Sequence, residues 1–142
     1  MLVVLAATLA AAHAQPARAD GIRGSWSGVT YQKIGGRGQS PIIVRVDHLR
    51  TGRRAGRVTY PRIPGSRHVC RGPIRYLGRS PRGGYRFLYR ETNSAGVADG
   101  ECGAGGHILL VRHGARLFIR DSDLQWPPGG GVDLGLLTRL AV

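Results

Sequence analysis

Apolar and polar residues alternate with a period of two in several short segments, the pattern of strands with one buried face. The alternation is cleanest over residues 42–47, where Ile42, Val44 and Val46 take one face and Arg45 and Asp47 the other. Residues 56–60 repeat it with Val58 and Tyr60 inward. Residues 85–91 put Tyr85, Phe87 and Tyr89 on one face, with Arg86 and Arg90 opposite. Further strands are expected over residues 25–34, 69–77, 107–113 and 116–120, with a short one at Cys102. Residues 134–140 read equally as a closing strand or a short helix. Thr51-Gly52, residues 61–65, 78–84 and 93–96, and Gly114-Ala115 supply turns. Residues 103–106 read as a flexible glycine stretch and residues 126–131 as a loop.

No segment beyond the first residues sustains a helical apolar period, so the pattern predicts an all-β chain. About eight short strands with local turns form an antiparallel meander, and a meander of that length hides its edges best by closing into a small barrel. A two-sheet sandwich is the alternative.

The N-terminus has a different character. Residues 2–12 are apolar apart from Thr8, and Ala12-His13-Ala14 supplies the small-x-small pattern of a signal-peptidase site. The run is shorter than the roughly 20 residues needed to span a bilayer. The expectation is a signal peptide over residues 1–14, with Ala17-Arg18-Ala19 offering an alternative cleavage after residue 19. A single domain then occupies residues 20–142, without a transmembrane segment in the mature chain. The location expected is extracytoplasmic, either secreted or in the periplasm or cell envelope.

Charge sharpens the picture. The net charge is +13, and all but one of the 21 basic residues are Arg. Codon usage of a GC-rich genome accounts for Arg over Lys, but not for the shortage of acids. Between Arg45 and Arg90 there are 13 Arg and one acid, Asp47, so one half of the domain carries a positive field. Such a field favours anionic partners, here a cell-envelope polymer or lipid. Nucleic acid, also anionic, is the less expected partner, because the Arg run is interleaved with strand residues and reads as a solvated face. The candidate anion-binding face is Arg53, Arg54, Arg57, Arg75, Arg86 and Arg90.

Two cysteines, Cys70 and Cys102, make a disulfide the default in an exported chain. The competing reading, Cys102 as a nucleophile with His107 as its base, has no visible orienting partner. No catalytic motif is present: no G-x-S-x-G, no H-E-x-x-H and no Walker-type phosphate loop. Asp121-x-Asp123 is half of a calcium loop without its glycine and terminal Glu. His107 and His113 share a strand face but lie about 20 Å apart, too far to share a metal. The chain is therefore read as a non-enzyme that needs no cofactor and no metal. Glu91 ends the inward aromatic row and is expected to pair with an Arg inside or at the rim of the barrel.

Taken in order, Gly24-Ser-Trp26-Ser-Gly28, residues 52–60, Cys70-Arg-Gly72, Tyr85-x-Phe87-x-x-x-Glu91 and Cys102 before an apolar strand form a suggestive set. The set resembles a small extracytoplasmic β-barrel domain of actinobacterial proteins, found alone behind a signal peptide or appended to membrane Ser/Thr kinases. Its opening Gly-x-Trp-x-Gly also resembles the first strand of lipocalin-like and avidin-like barrels. The resemblance implies the barrel, a Cys70–Cys102 disulfide and a Trp26 that packs across a closed barrel end among basic strand residues. It implies no chemistry. Two functions follow as expectations. One is a binding module whose barrel holds a small apolar or amphipathic molecule, lined by Tyr60, Tyr76, Tyr85, Phe87 and Tyr89 and anchored by Glu91. The other is an envelope-interaction protein that uses the Arg-rich face.

Overall fold

The computed structural model describes residues 21–32, 39–62, 65–123 and 132–141. The expected signal peptide, both of its cleavage points and the loop at residues 126–131 lie outside the described residues. Eight strands follow one another as β1 (Gly24–Gln32), β2 (Gln39–Val46), β3 (Arg54–Tyr60), β4 (Cys70–Arg79), β5 (Tyr85–Arg90), β6 (Gly105–His113), β7 (Arg116–Asp123) and β8 (Val132–Arg139). Each pairs antiparallel with its neighbour, and β8 returns to β1, so the sheet closes as a barrel and not as a sandwich. Of residues 134–140, ambiguous in sequence, all but Leu140 belong to the closing strand. Pairing to both β7 and β1 supplies the ladder partners that fix it.

The inward positions are those the alternation selects. Ile42, Val44, Val46, Val58, Ile74, Phe87, Ile108, Leu110, Leu117, Ile119 and Leu137 are buried in one continuous core with Trp26, Tyr76, Tyr85 and Tyr89. In an eight-stranded barrel the interior is just wide enough for side chains to fill. Tyr76 packs on Phe87 with ring centroids 5.3 Å apart and on Tyr85 at 6.4 Å. Two strands cross so closely that only glycine fits. A Cβ on Gly72 of β4 would stand 1.7 Å from the Arg90 carbonyl oxygen of β5.

Three local expectations are corrected. The turn expected at residues 93–96 is a one-turn helix, α1 (Ser94–Ala98), capped by Asn93, whose side-chain oxygen accepts the Gly96 N–H at 2.9 Å. Cys102 is not in a strand. Its N–H closes the end of that helix on the Gly96 carbonyl at 2.9 Å. The glycines expected to be flexible include Gly105 and Gly106, which open β6. A Cβ there would meet the Tyr89 and Ser122 carbonyl oxygens at 2.4 and 2.3 Å, so these glycines let neighbouring strands close up.

Strand direction defines two barrel ends. At one, Trp26 is fully buried and donates its indole N–H to the Ile22 carbonyl at 2.8 Å. The Arg112 and Arg139 guanidinium groups lie 5.0 and 5.5 Å from its ring. They also donate to the Gly21 and Arg23 carbonyls, strapping residues 21–23 over the end of the core. Trp26 thus has the end-closing place that the resemblance implies. The other end carries the connections β3–β4 and β5–β6 and the disulfide.

Candidate functional site

Of the residues expected to line a ligand cavity, Tyr76, Tyr85 and Phe87 pack on one another inside the core, with Phe87 wholly inaccessible. Tyr60, Tyr89 and Glu91 instead gather at the loop-bearing end. The Tyr60 and Tyr89 rings are 6.2 Å apart. The Tyr60 hydroxyl donates to Asp121 and the Tyr89 hydroxyl to Glu91. Burial pushes both phenols above their usual range, and the neighbouring carboxylates Asp121 and Glu91 push the same way. Asp133 faces Asp121 across the β7–β8 ladder and joins this cluster.

Glu91 does not pair with an Arg among the described residues. Its Oε1 accepts the backbone N–H groups of Arg71, Thr92 and Asn93 at 2.9, 2.9 and 2.8 Å. β5 ends one residue earlier, and the carboxylate gathers backbone N–H groups at the strand's end, the Thr92 N–H also reaching the Arg71 carbonyl at 3.0 Å.

Beside it, Cys70 and Cys102 form the disulfide, with Cα atoms 5.5 Å apart. Their sulfurs lie near the Glu91 carboxylate. Because the two sulfurs are bonded to each other, the trio offers no thiolate to a metal. The disulfide also removes Cys102 as a nucleophile. A polar clasp continues from it. Glu101 accepts the Ser66 hydroxyl at 2.8 Å and the Arg67 and His68 N–H groups at 2.9 and 3.1 Å. These donors, the Ser66 hydroxyl foremost, hold its carboxyl down at about 2. His68 Nε2 meets Asp99 at 2.7 Å, while its Nδ1 faces the Asn93 amide at 3.5 Å. The imidazole therefore addresses no hydroxyl nucleophile, and the arrangement ties two loops together.

The outer wall divides into two regions of opposite character. Arg53, Arg54, Arg57, Arg75, Arg86 and Arg90 are all exposed, and none forms an ion pair within the described residues. The register sets like charges against each other: Arg45 faces Arg57 across β2–β3, and Arg54 faces Arg75 across β3–β4. Of these four, only Arg45 meets an acid within the described residues, Asp47 at 2.7 Å. Like charges directly opposite on a sheet are unfavourable.

The other wall, which sequence reasoning missed, is apolar. One outward row crosses five strands as Val111, Phe118, Leu136, Val29 and Pro41. Leu136 is 40 % exposed in that row, and Tyr31, two residues beyond Val29 on β1, is 54 % exposed. The signal was the uninterrupted apolar runs Ile108–Val111, Leu117–Ile119 and Leu136-Leu137, since consecutive apolar residues in a strand occupy both faces.

Between the two walls a groove of about 360 Å³ opens on the outside of β4–β7. Leu77, Leu109, Arg86, Arg120, His107 and Ser122 are part of its lining. Arg86, Leu109 and Arg120 stand in one register row, the two cations flanking the leucine. Among the described residues no helix is long and apolar enough to cross a membrane. The chain matches no protein-family model, no curated protein and no solved structure.

Proposed function

We propose that this chain is an exported, non-catalytic binding module that engages an anionic envelope polymer or lipid through the Arg-rich outer wall of its barrel. The fold is compatible with a lipocalin-like barrel, and an extracytoplasmic domain of the actinobacterial type is the kind of module meant. The carrying observation is the pair of Arg–Arg cross-strand juxtapositions, Arg45 with Arg57 and Arg54 with Arg75. Like charges held face to face weaken a free barrel, and a polyanion that neutralises them turns that cost into affinity. The disulfide is compatible with an oxidising compartment.

The test is binding of long-chain polyphosphate across a salt series. Affinity should fall steeply with NaCl, and Arg54→Gln with Arg75→Gln should reduce the log–log slope by about 1 per Arg removed. Salt-independent binding, or none at 20 mM NaCl (about the low-screening limit), would overturn the proposal.

The hydrogen-bonded tyrosines and acids at the loop-bearing end favour a second reading, a small molecule anchored at the barrel mouth by Tyr60, Tyr89 and Glu91. Native mass spectrometry of the chain from its own organism tests it. An adduct lost on denaturation, and lost from Tyr60→Phe, supports that reading, and a bare mass removes it.

A further inference from the structure

We infer that the groove on the outside of β4–β7 is a binding site for the phosphate headgroup of an anionic lipid, with the neighbouring apolar row receiving the lipid's acyl part. The inference rests on the anion-binding reading above but centres the contact on the groove, where Arg86 of the Arg-rich wall is joined by Arg120.

The groove has the chemistry of a phosphate subsite. Arg86 on β5 and Arg120 on β7 stand two strands apart in one register row. At about 4.8 Å per strand step, their Cα atoms are about 10 Å apart. Two long side chains across that gap can converge on one phosphate, each offering a planar fork of donors. Neither guanidinium forms an ion pair within the described residues. His107 and Ser122 face each other one row on, and the Ser122 hydroxyl donates to the His107 carbonyl at 3.2 Å. Leu77 and Leu109 provide an apolar lining. The volume of about 360 Å³ accommodates a headgroup and the first carbons of what it carries.

The apolar wall decides between a free phosphate and a lipid. From Leu109 the outward surface passes directly to Val111 and Phe118, then across β8 to Leu136 and β1 to Val29. A soluble phosphate has no use for that surface, whereas acyl chains leaving the headgroup would lie along it. Charge decides between a lipid and a second copy of the chain. A net charge of +13 repels a like molecule and attracts an anionic bilayer.

The experiment compares four proteins: wild type, Arg86→Gln/Arg120→Gln, Phe118→Ser/Leu136→Ser, and the wall variant Arg54→Gln/Arg75→Gln. All the substituted charges are exposed, and circular dichroism melts identify any variant that fails to fold. Each protein is titrated with vesicles of phosphatidylcholine containing phosphatidylglycerol, with long-chain polyphosphate, and with glycerol 3-phosphate as the headgroup alone. The expected result is at least a tenfold loss of vesicle affinity in Arg86→Gln/Arg120→Gln, with polyphosphate affinity reduced no more than in Arg54→Gln/Arg75→Gln. Phe118→Ser/Leu136→Ser should lose vesicle binding alone, and glycerol 3-phosphate should bind far more weakly than vesicles.

Vesicle binding unchanged in Arg86→Gln/Arg120→Gln would overturn the groove assignment while the Arg-rich wall stands. Glycerol 3-phosphate binding as tightly as vesicles would overturn the lipid assignment in favour of a free phosphate ester. A wild-type dimer on sedimentation that Phe118→Ser/Leu136→Ser dissociates would make the apolar row a self-interface and overturn it too. If wild type binds neither polyphosphate nor anionic vesicles, this inference and the reading beneath it fall together. Should Phe118→Ser/Leu136→Ser fail to fold, the comparison of wild type with Arg86→Gln/Arg120→Gln decides the matter alone.

Discussion

Neutralising one member of a like-charged pair should make this protein more stable while making it bind less well. Arg54 and Arg75 face each other across β3 and β4, both exposed and neither in an ion pair among the described residues. Opposed Cβ atoms on a sheet lie about 5 Å apart, and two guanidinium groups splay to roughly 7 Å. At that range the repulsion is about 0.6 kcal/mol with water-like screening and about 2.4 kcal/mol at an effective dielectric constant of 20. Exposure of both groups places the pair near the lower figure. Mobile ions cut it to about 0.5 kcal/mol at 10 mM salt and to under about 0.1 kcal/mol at 1 M. Arg54→Gln or Arg75→Gln should therefore each stabilise the fold, and the second replacement should add nothing through the pair. A double-mutant cycle from urea melts at the two salt concentrations isolates the coupling. The same variants should lose polyphosphate affinity, since both effects come from one electrostatic source. Destabilisation by either single change, or a coupling that survives 1 M salt, would refute the reasoning.

Removing the disulfide with Cys70→Ala and Cys102→Ala should lower stability by about 4 kcal/mol in the chain-entropy treatment, the cysteines being 32 residues apart. A urea-melt loss below about 1 kcal/mol would show that the clasp around Glu101 restrains the same loop without it. Tyr60 and Tyr89 are held protonated by burial and by Asp121 and Glu91, so above the ordinary tyrosine range the folded chain keeps protons that the unfolded chain releases. Stability should then fall as pH rises past about 10. Absorbance at 295 nm should show these two phenols ionising only as the barrel unfolds, and early ionisation of all the tyrosines would contradict the hydrogen bonds described.

Much of the barrel was legible because its physics is local. Ile42, Val44 and Val46 alternate with charges, and a side-chain period of two leaves one choice of buried face. The Arg-rich stretch from Arg45 to Arg90 also mapped directly, because consecutive hairpins keep neighbours in sequence neighbours in space, on β2 to β5. Other features depended on partners far along the chain. Gly105 and Gly106 looked loose on their own, and only the crowding of Tyr89 and Ser122 against them shows why they are strand residues. Asp121 and Asp133 gave no sign that they share the barrel mouth with Tyr60, a meeting made by the β7–β8 ladder. Glu91 read as half of an ion pair, yet the backbone amides of Arg71, Thr92 and Asn93 claim it. The apolar outer row was present in the sequence as unbroken runs, but strand-by-strand alternation looks for one buried face and passes over a second.

Barrel closure also sets a timetable for biogenesis. Of the barrel's eight strands β1 is made first and β8 last, and they must pair along their length from Trp26–Arg139 to Gln32–Asp133. A chain threaded N-terminus first, by a ribosome or a membrane pore, holds β1 waiting through more than a hundred residues of synthesis. During that interval β1 and the newest strand present open hydrogen-bonding edges, the kind that recruit wrong partners. Cys70 is exposed to oxidation long before Cys102 arrives. The emerging barrel therefore suits a holding chaperone, and a C-terminal truncation that removes β8 should yield aggregates rather than a smaller fold.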